Sequence, residues 1–333
     1  MKDPFVSVII PTCDRPFLLK HCIEHVLAQP YPRKEIIVVD SSSNDKSEGV
    51  VAQYPQIISV RLRGQRNNRP QAKNEAMAYA SGDIIAFIDD DSMVMPGWLE
   101  TVVEIHRDDT IGAAGGRVIR KPLPYSEEES GPPRMIVEPS GRVIWKGADL
   151  ISTERVDVDH LISCNISFRR DVLEQIGGFD LNYTITSLFE ETDICIRVKK
   201  AGWRIVYEPA MAVMHYSARS QGYFMRKPVV QYSTGRNSVY FAFKQYGFNP
   251  RTFLYQMIIQ PCFWFGQSFY YAAMFLVGAV AQAFGRVVGF GIGVSWLMSK
   301  RRRAAADPKI RMRRRSVNED KSEEESLPVT SQS

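Results

Sequence analysis

Hydrophobic and polar positions follow two registers along the first hundred residues. β-Branched runs occupy residues 6–10, 36–39 and 57–62, the first interrupted by Ser7 and the third by Ser59 and Arg61, and the apolar run 84–88 leads straight into Asp89-Asp90-Asp91. Runs that are apolar throughout, without alternation, predict strands buried on both faces, as in a parallel sheet. Between them, Leu18, Leu19, Cys22, Ile23, Val26 and Leu27 fall at helical spacing, with Asp14 or Arg15 near the cap and Pro16 in the first turn. Residues 41–45 form a turn that caps a second helix running through Tyr54. Residues 70–80 predict a third helix, with Gly82 shortly past its end. This alternation of strand and helix predicts a doubly wound, mostly parallel α/β sheet.

The pattern continues beyond residue 95. Trp98, Leu99, Val102, Val103 and Ile105 predict a helix packed on the sheet, and residues 112–119 another strand. Residues 121–139 turn to Pro, Ser, Glu and Gly, the composition of a loop. Residues 141–147 alternate like a short strand. Residues 163–170 lead into a helix stopped by Gly177 and Gly178. Glu190-Glu191-Thr192-Asp193 opens a further helix that ends at Gly202, and residues 212–215 form a strand ending at His215.

The last quarter changes character. Residues 252–285 contain no charged side chain and no histidine. A spanning helix needs about 20 mostly apolar residues, so there is room for one, although Gln256, Gln260, Pro261, Gln267 and several glycines dilute it. A shorter apolar run, 287–298, is followed at once by a basic cluster from Lys300 to Arg315 and then an acidic, Ser-rich tail. Aromatics beside basic residues suit an anionic lipid interface. Three arrangements fit: helices lying on or dipping into a bilayer, a hairpin through it, or buried helices of a homo-oligomer. The expectation is association with a membrane surface, the basic cluster lying on the cytoplasmic face. The organisation expected is an α/β domain over 1–249, in two halves meeting near 118, an apolar helical segment over 250–300, and a tail over 301–333.

Composition is globular, 44% hydrophobic and 24% charged, and 333 residues bury a large core. The net charge of +5 is concentrated in the basic cluster, outside the α/β pattern and without a nucleic-acid-binding motif, which argues against a nucleic-acid partner. The five cysteines are scattered and include no CxxC pair, which suits a reducing compartment. Nothing before Val6 has the length or apolar core of a signal peptide, so the N-terminal part is expected in the cytosol.

Three adjacent carboxylates cannot sit unpaired inside a sheet. They emerge at its carboxyl edge, where open α/β sheets bind ligands, and they attract a hard divalent cation. Asp40 ends a neighbouring strand and faces the same crevice, where a nucleotide base or ribose is a candidate partner. Lys73, on the predicted third helix, is either a cation beside a developing negative charge or an ordinary helix lysine.

Together, the residues 6–12 run with Arg15-Pro16, then Leu27-Ala28-Gln29, Tyr31-Pro32, residues 35–40, Asn67, Ala72-Lys73-Asn74, Gly82-Asp83 and Asp89-Asp90-Asp91, in this order, resemble the start of a family 2 glycosyltransferase of GT-A fold, with a rhamnosyltransferase-like subgroup open. The likeness extends over about residues 5–245. It implies a nucleotide-sugar donor. Pro11, Thr12, Arg15 and Asp40 line the nucleoside pocket, with Asn67 and Lys73 on the donor side. Asp89 and Asp90 reach the ribose or the metal's water shell. Asp91, with Asp89, ligates Mn²⁺ or Mg²⁺, and His215 completes the set as in some members. Imidazole favours Mn²⁺. Asn165, Gly178, Phe179 and Asp180 match an acceptor-side segment. The resemblance places the general base at Glu191, usually an aspartate, with Asp193 and then Glu190 as alternatives. It implies inverting transfer to a glycan or lipid-linked acceptor at the cell envelope. Acids in a first helical turn also occur simply to meet the helix dipole. A catalytically silent sugar-nucleotide-binding or scaffold protein, and a nucleotidyltransferase, remain alternatives, although no basic, Gly-rich triphosphate loop is present.

Overall fold

The computed structural model describes residues 3–62, 68–120, 131–147, 152–216, 228–261 and 274–298. Its centre is a nine-stranded sheet whose principal order is β3-β2-β1-β4-β10-β6-β11-β5. The first four of these are β1 (Val6–Thr12), β2 (Lys34–Asp40), β3 (Ile58–Arg61) and β4 (Ile84–Phe87), all parallel. Successive residues point to opposite faces, and both faces are apolar. Val8, Ile10, Ile36, Val38, Ile84 and Ala86 enter one core, while Ile9, Ile37, Val39, Ile85 and Phe87 enter the other. The continuous apolar runs are therefore explained by helices on both sides. On the first face lie α1 (Pro16–Leu27), α2 (Lys46–Val51) and α4 (Trp98–Ile105). On the second lie α3 (Arg69–Met77), α5 (Arg170–Ile176) and α6 (Glu190–Lys200).

The second half of the sheet is mixed. β6 (Ile111–Arg120) and β11 (Arg204–His215) are parallel, but β10 (Ile166–Arg169) runs antiparallel between β4 and β6. The excursion after β6, which includes the separate hairpin β7 (Arg134–Val137) and β8 (Val143–Lys146), returns the chain in the opposite direction. β5 (Ser92–Val94) and β9 (Val156–Asp157) each pair antiparallel with β11. The alternating strands and helices of the first half form the doubly wound, parallel part of the sheet that the sequence pattern predicts. The segment expected to be a loop supplies β7, while residues 121–130 lie outside the described residues.

Three C-terminal helical segments complete the structure: α7 (Pro228–Tyr246), α8 (Pro250–Leu254), continuing as a π turn over Tyr255–Ile259, and α9 (Met274–Met298). α9 lies tightly against α7. A Cβ added at Gly285 would collide with the Tyr232 carbonyl, and one at Gly289 with that of Arg236. Among the described residues no helix is long and apolar enough to cross a membrane. Glutamines, glycines and the buried Arg286 hold down the hydropathy of these segments. Residues 262–273 and the basic cluster lie outside the described residues.

Candidate active site

The carboxyl ends of β1, β2 and β4 meet at one edge. Thr12 lies opposite Asp40 in the register, and the chain leaves β4 through Ile88 into the aspartate triplet. Thr12 Oγ1 donates to Asp90 Oδ2 at 2.7 Å. Arg15 Nη1 donates to Asp90 Oδ1 at 3.0 Å and to Asp91 Oδ2 at 2.6 Å. Burial raises the Asp90 carboxyl to about 7, with Arg15 working against it. In Asp91, burial works upward, but the hydrogen bond and charge of His215, followed by Arg15, hold the carboxyl below its ordinary value.

His215 reaches this edge because β11 pairs with β5. His215 lies opposite Ser92, and the next residue, Tyr216, donates its backbone N–H to the Asp91 carbonyl at 2.8 Å. The imidazole Nε2 stands 3.1 Å from Asp91 Oδ1. Ligand atoms of Asp89, Asp91 and His215 all lie within 4.8 Å of one another. Two carboxylates and an imidazole suit Mn²⁺ and accept Mg²⁺ less well. Asp91 Oδ1 is buried without a hydrogen bond of good geometry, as a ligand oxygen would be. The residues therefore fit a divalent cation.

A pocket opens beside the triplet, lined by Pro11, Thr12, Cys13, Arg15, Ser41, Asn68, Arg69, Ala72, Asp89 and Asp90. Arg69 was not singled out in the sequence. It stands in the first turn of α3, where the Asn68 side chain accepts the Gln71 N–H. Asp89 chiefly, opposed by burial and followed by Glu190 and the rest of the triplet, holds its guanidinium firmly protonated. The helix start Asn68-Arg69-Pro70 was the available signal, and a cation in a first helical turn, against the dipole, asks for an anionic partner. Asp40 is at the edge as expected but is already engaged. It pairs with Arg61 and accepts the Ser42 N–H at 2.8 Å. Asn67 lies outside the described residues, as do residues 217–227 with the basic side chains following His215.

Lys73 is not in this pocket. Its side chain is fully buried, 2.8 Å from Glu190 Oε1 and 4.7 Å from the Phe179 ring centre. The adjacent Asn74 brackets Phe179, donating to its carbonyl at 2.8 Å and accepting its N–H at 2.9 Å. The donor-side helix is thus fastened to the start of α6. Of the three acids there, each has a different environment. Glu190 is committed to Lys73. Asp193 accepts from Tyr183, Arg197, Lys244 and Gln245. Burial pushes its pKa up, but Lys244, Arg197 and Gln245 bring it down to about 2. On Glu191 burial, then the charge of Glu190, raises the pKa to about 7; the charges of Lys73 and Arg69 act downward but are outweighed.

The residues matched to an acceptor-side segment are each held by hydrogen bonds or packing. Asn165 accepts from Trp98 Nε1 at 2.9 Å and donates to the Met211 carbonyl at 2.6 Å. Gly178 adopts a φ of +74° and its carbonyl takes a hydrogen bond from Arg197. Phe179 packs edge-on against Phe87, and Asp180 accepts from Tyr240 and Lys244 at 2.8 Å each. Between Asp180 and Glu190 the chain passes through Ile185, Ser187 and Phe189 at positive φ. Non-glycine residues there cost roughly 1–3 kcal/mol each. α7 holds that loop: Arg236 donates to the Asn182 carbonyl at 2.8 Å and Asn237 to that of Leu188 at 3.1 Å.

An acidic edge fitted for a cation and a pocket lined by Arg15 and Arg69, at the carboxyl end of an α/β sheet, suit an anionic ligand held with a metal ion. Residues 7–177 match the family Glycosyl transferase family 2, and the chain belongs to that family. It is a glycosyltransferase. The glucosyl-dolichyl phosphate glucuronosyltransferase of Haloferax volcanii is 28% identical over 228 residues, 63% of this chain and 68% of that protein. The GalNAc(5)-diNAcBac-PP-undecaprenol beta-1,3-glucosyltransferase of Campylobacter jejuni is 32% identical over 132 residues, 38% of this chain and 43% of that protein. The mannosyltransferase PcManGT of Pyrobaculum calidifontis, in complex with GDP-Man and Mn²⁺, superposes with a TM-score of 0.53 at 19% identity, covering 91% of this chain and 83% of that one. GalNAc-T7 with UDP, GalNAc and Mn²⁺ superposes at 0.61 and 17% identity, covering 91% and 58%.

Proposed function

We propose that this glycosyltransferase works by inverting displacement, with Glu191 as general base and a divalent cation at Asp89, Asp91 and His215, and that its acceptor is a lipid-linked glycan. The carrying observation is the contrast within one helical turn. Glu191 stands near 7, where a base exchanges protons at neutral pH, while Asp193 is fixed as an anion among cations. The acceptor hydroxyl gives its proton to Glu191 as its oxygen attacks the anomeric carbon. The diphosphate leaves from the opposite face with the bonding pair. Arg15 and Arg69 place positive charge at the pocket into which that negative charge develops. A bound divalent cation adds Lewis-acid stabilisation of the leaving group. Thr12 and Arg15 hold Asp90 and Asp91 in the geometry required. The lipid-linked acceptor draws support from the two relatives whose names carry dolichyl phosphate and undecaprenyl diphosphate.

The test is a transfer assay pairing uridine, guanosine and deoxythymidine diphosphate sugars with polyprenyl-diphosphate-linked saccharides and with the free saccharides, the product read by NMR. Inverted anomeric configuration, with the lipid-linked series preferred, is the expected result. Retention of configuration would end the single-displacement account, and equal use of free saccharides would end the acceptor assignment.

A further inference from the structure

The outward face of α9, as described from Val280 on, carries a stripe of exposed apolar side chains with Ser295 as its polar residue. At 3.6 residues per turn, Val280, Phe284, Val287 and Gly291 fall within about 60° of one another, and Gly285, Gly289 and Gly293 lie on the opposite side. The glycine side is the one pressed onto α7, with Gly293 against Phe243. Arg286 is the only charged residue in the helix, and it points inward, donating to the Gln256 carbonyl at 3.0 Å and pairing with Gln260. The outer stripe is correspondingly bare: Val280, Phe284 and Val287 are 54%, 63% and 60% exposed. On the segment to which Arg286 ties α9, Leu254, Ile258 and Ile259 are each about half exposed as well. A helix apolar on both sides needs cover on both.

We propose that this face is the membrane-docking surface of the enzyme, lying in the plane of an anionic bilayer rather than passing through it. The sequence chooses the occupant. Two residues after α9 ends, the chain enters residues 300–315, which hold nine Lys and Arg against one Asp. An apolar face continued by dense positive charge matches acyl chains bordered by anionic headgroups. In-plane attachment follows from the packing. The glycine side is consumed by α7, and among the described residues no helix is long and apolar enough to cross a membrane. The inference rests on the surface of α9 and the sequence after it, and is independent of the transfer chemistry.

The experiment is co-sedimentation of the full chain with vesicles of phosphatidylcholine alone and with about a third phosphatidylglycerol, at about 0.15 M and about 1 M salt. The full chain is expected to pellet with the anionic vesicles, less so in high salt. The double variant Phe284→Glu, Val287→Glu is expected to lose at least about tenfold in apparent affinity. Parent protein that stays in the supernatant overturns the proposal. So does a double variant that binds like the parent, since the basic run alone would then hold it. A dimer in sedimentation velocity that the double variant dissolves assigns the face to a second copy and also overturns it. Should the double variant melt earlier than the parent, Phe284→Trp decides. Its added fluorescence must be quenched by brominated acyl chains, and unquenched fluorescence in vesicle-bound protein rejects the face. Nucleoside diphosphate binding on the same samples separates failure here from failure of the glycosyltransferase reading.

Discussion

Glu191 and Asp193 lie on the same turn of α6, yet their carboxyls are displaced in opposite directions, to about 7 and about 2. The difference is one of partners. Glu191 is desolvated next to another acid, whereas Asp193 accepts from two cations and an amide. A base must be deprotonated to act, so transfer should rise with pH through about 7 and level off above it, as read from kcat/KM against pH. Replacing it by the amide, Glu191→Gln, should lower kcat by at least about a hundredfold while leaving donor binding within a few-fold. The same residue costs stability. Its folded pKa lies above the unfolded value, so between about 4.5 and 7 the folded state holds the extra proton and stability falls as pH rises. Glu191→Gln should therefore raise the melting temperature at pH 8 by more than at pH 5. For Asp193 the sign is reversed. Its contribution is complete above the ordinary carboxylate range and is lost as pH falls toward about 2. Asp193→Asn leaves Lys244 and Arg197 short of a buried counter-charge and should cost about 3–5 kcal/mol in urea unfolding at pH 7.

At the scale of elements, α7 explains why the acids stand where they do. It supplies Lys244 and Gln245 to Asp193, Tyr240 to Asp180, and the amide of Asn237 to the strained loop ahead of Glu190. Asn237→Ala should loosen that loop and depress kcat more than the affinity for donor, which a split of kcat from donor KM would show. A change confined to KM would contradict this role. α7 was also the helix hardest to read. Ser233, Arg236, Asn237, Ser238, Lys244 and Gln245 are all buried, so polar residues occupy core positions and the usual helical periodicity is erased. By contrast, β1, β2 and β4 were legible because both of their faces are apolar, and α1 because Leu19, Cys22, Ile23 and Val26 keep one face. The aspartate triplet was legible from its place at a strand end and His215 only through the family resemblance, and the structure brings Asp89, Asp91 and His215 together. Lys73 was not. Its side chain crosses to an acid 117 positions later in the chain, a partner that spacing along the sequence cannot disclose.

In the whole molecule, one sheet edge carries the candidate cation site, and α7 joins the loop ahead of α6 to the helical layer that carries α9. The seam between α7 and α9 has no space for side chains at its glycines, where an added Cβ would meet the backbone of the opposing helix. Gly289→Val should separate the two helices and lower stability by about 1–3 kcal/mol, measured by thermal unfolding with the edge site as an internal control. The central claim concerns that edge: Asp89, Asp91 and His215 form a cation site that holds the diphosphate of a nucleotide-sugar donor. Calorimetric titration of the full chain with uridine, guanosine and deoxythymidine diphosphates, each with and without Mn²⁺, tests it most directly. The account predicts that one nucleotide binds, that binding needs the metal, and that Asp91→Asn abolishes the metal dependence in protein that still melts cooperatively. Binding of none of them by folded protein, or binding of equal strength without metal, would contradict it.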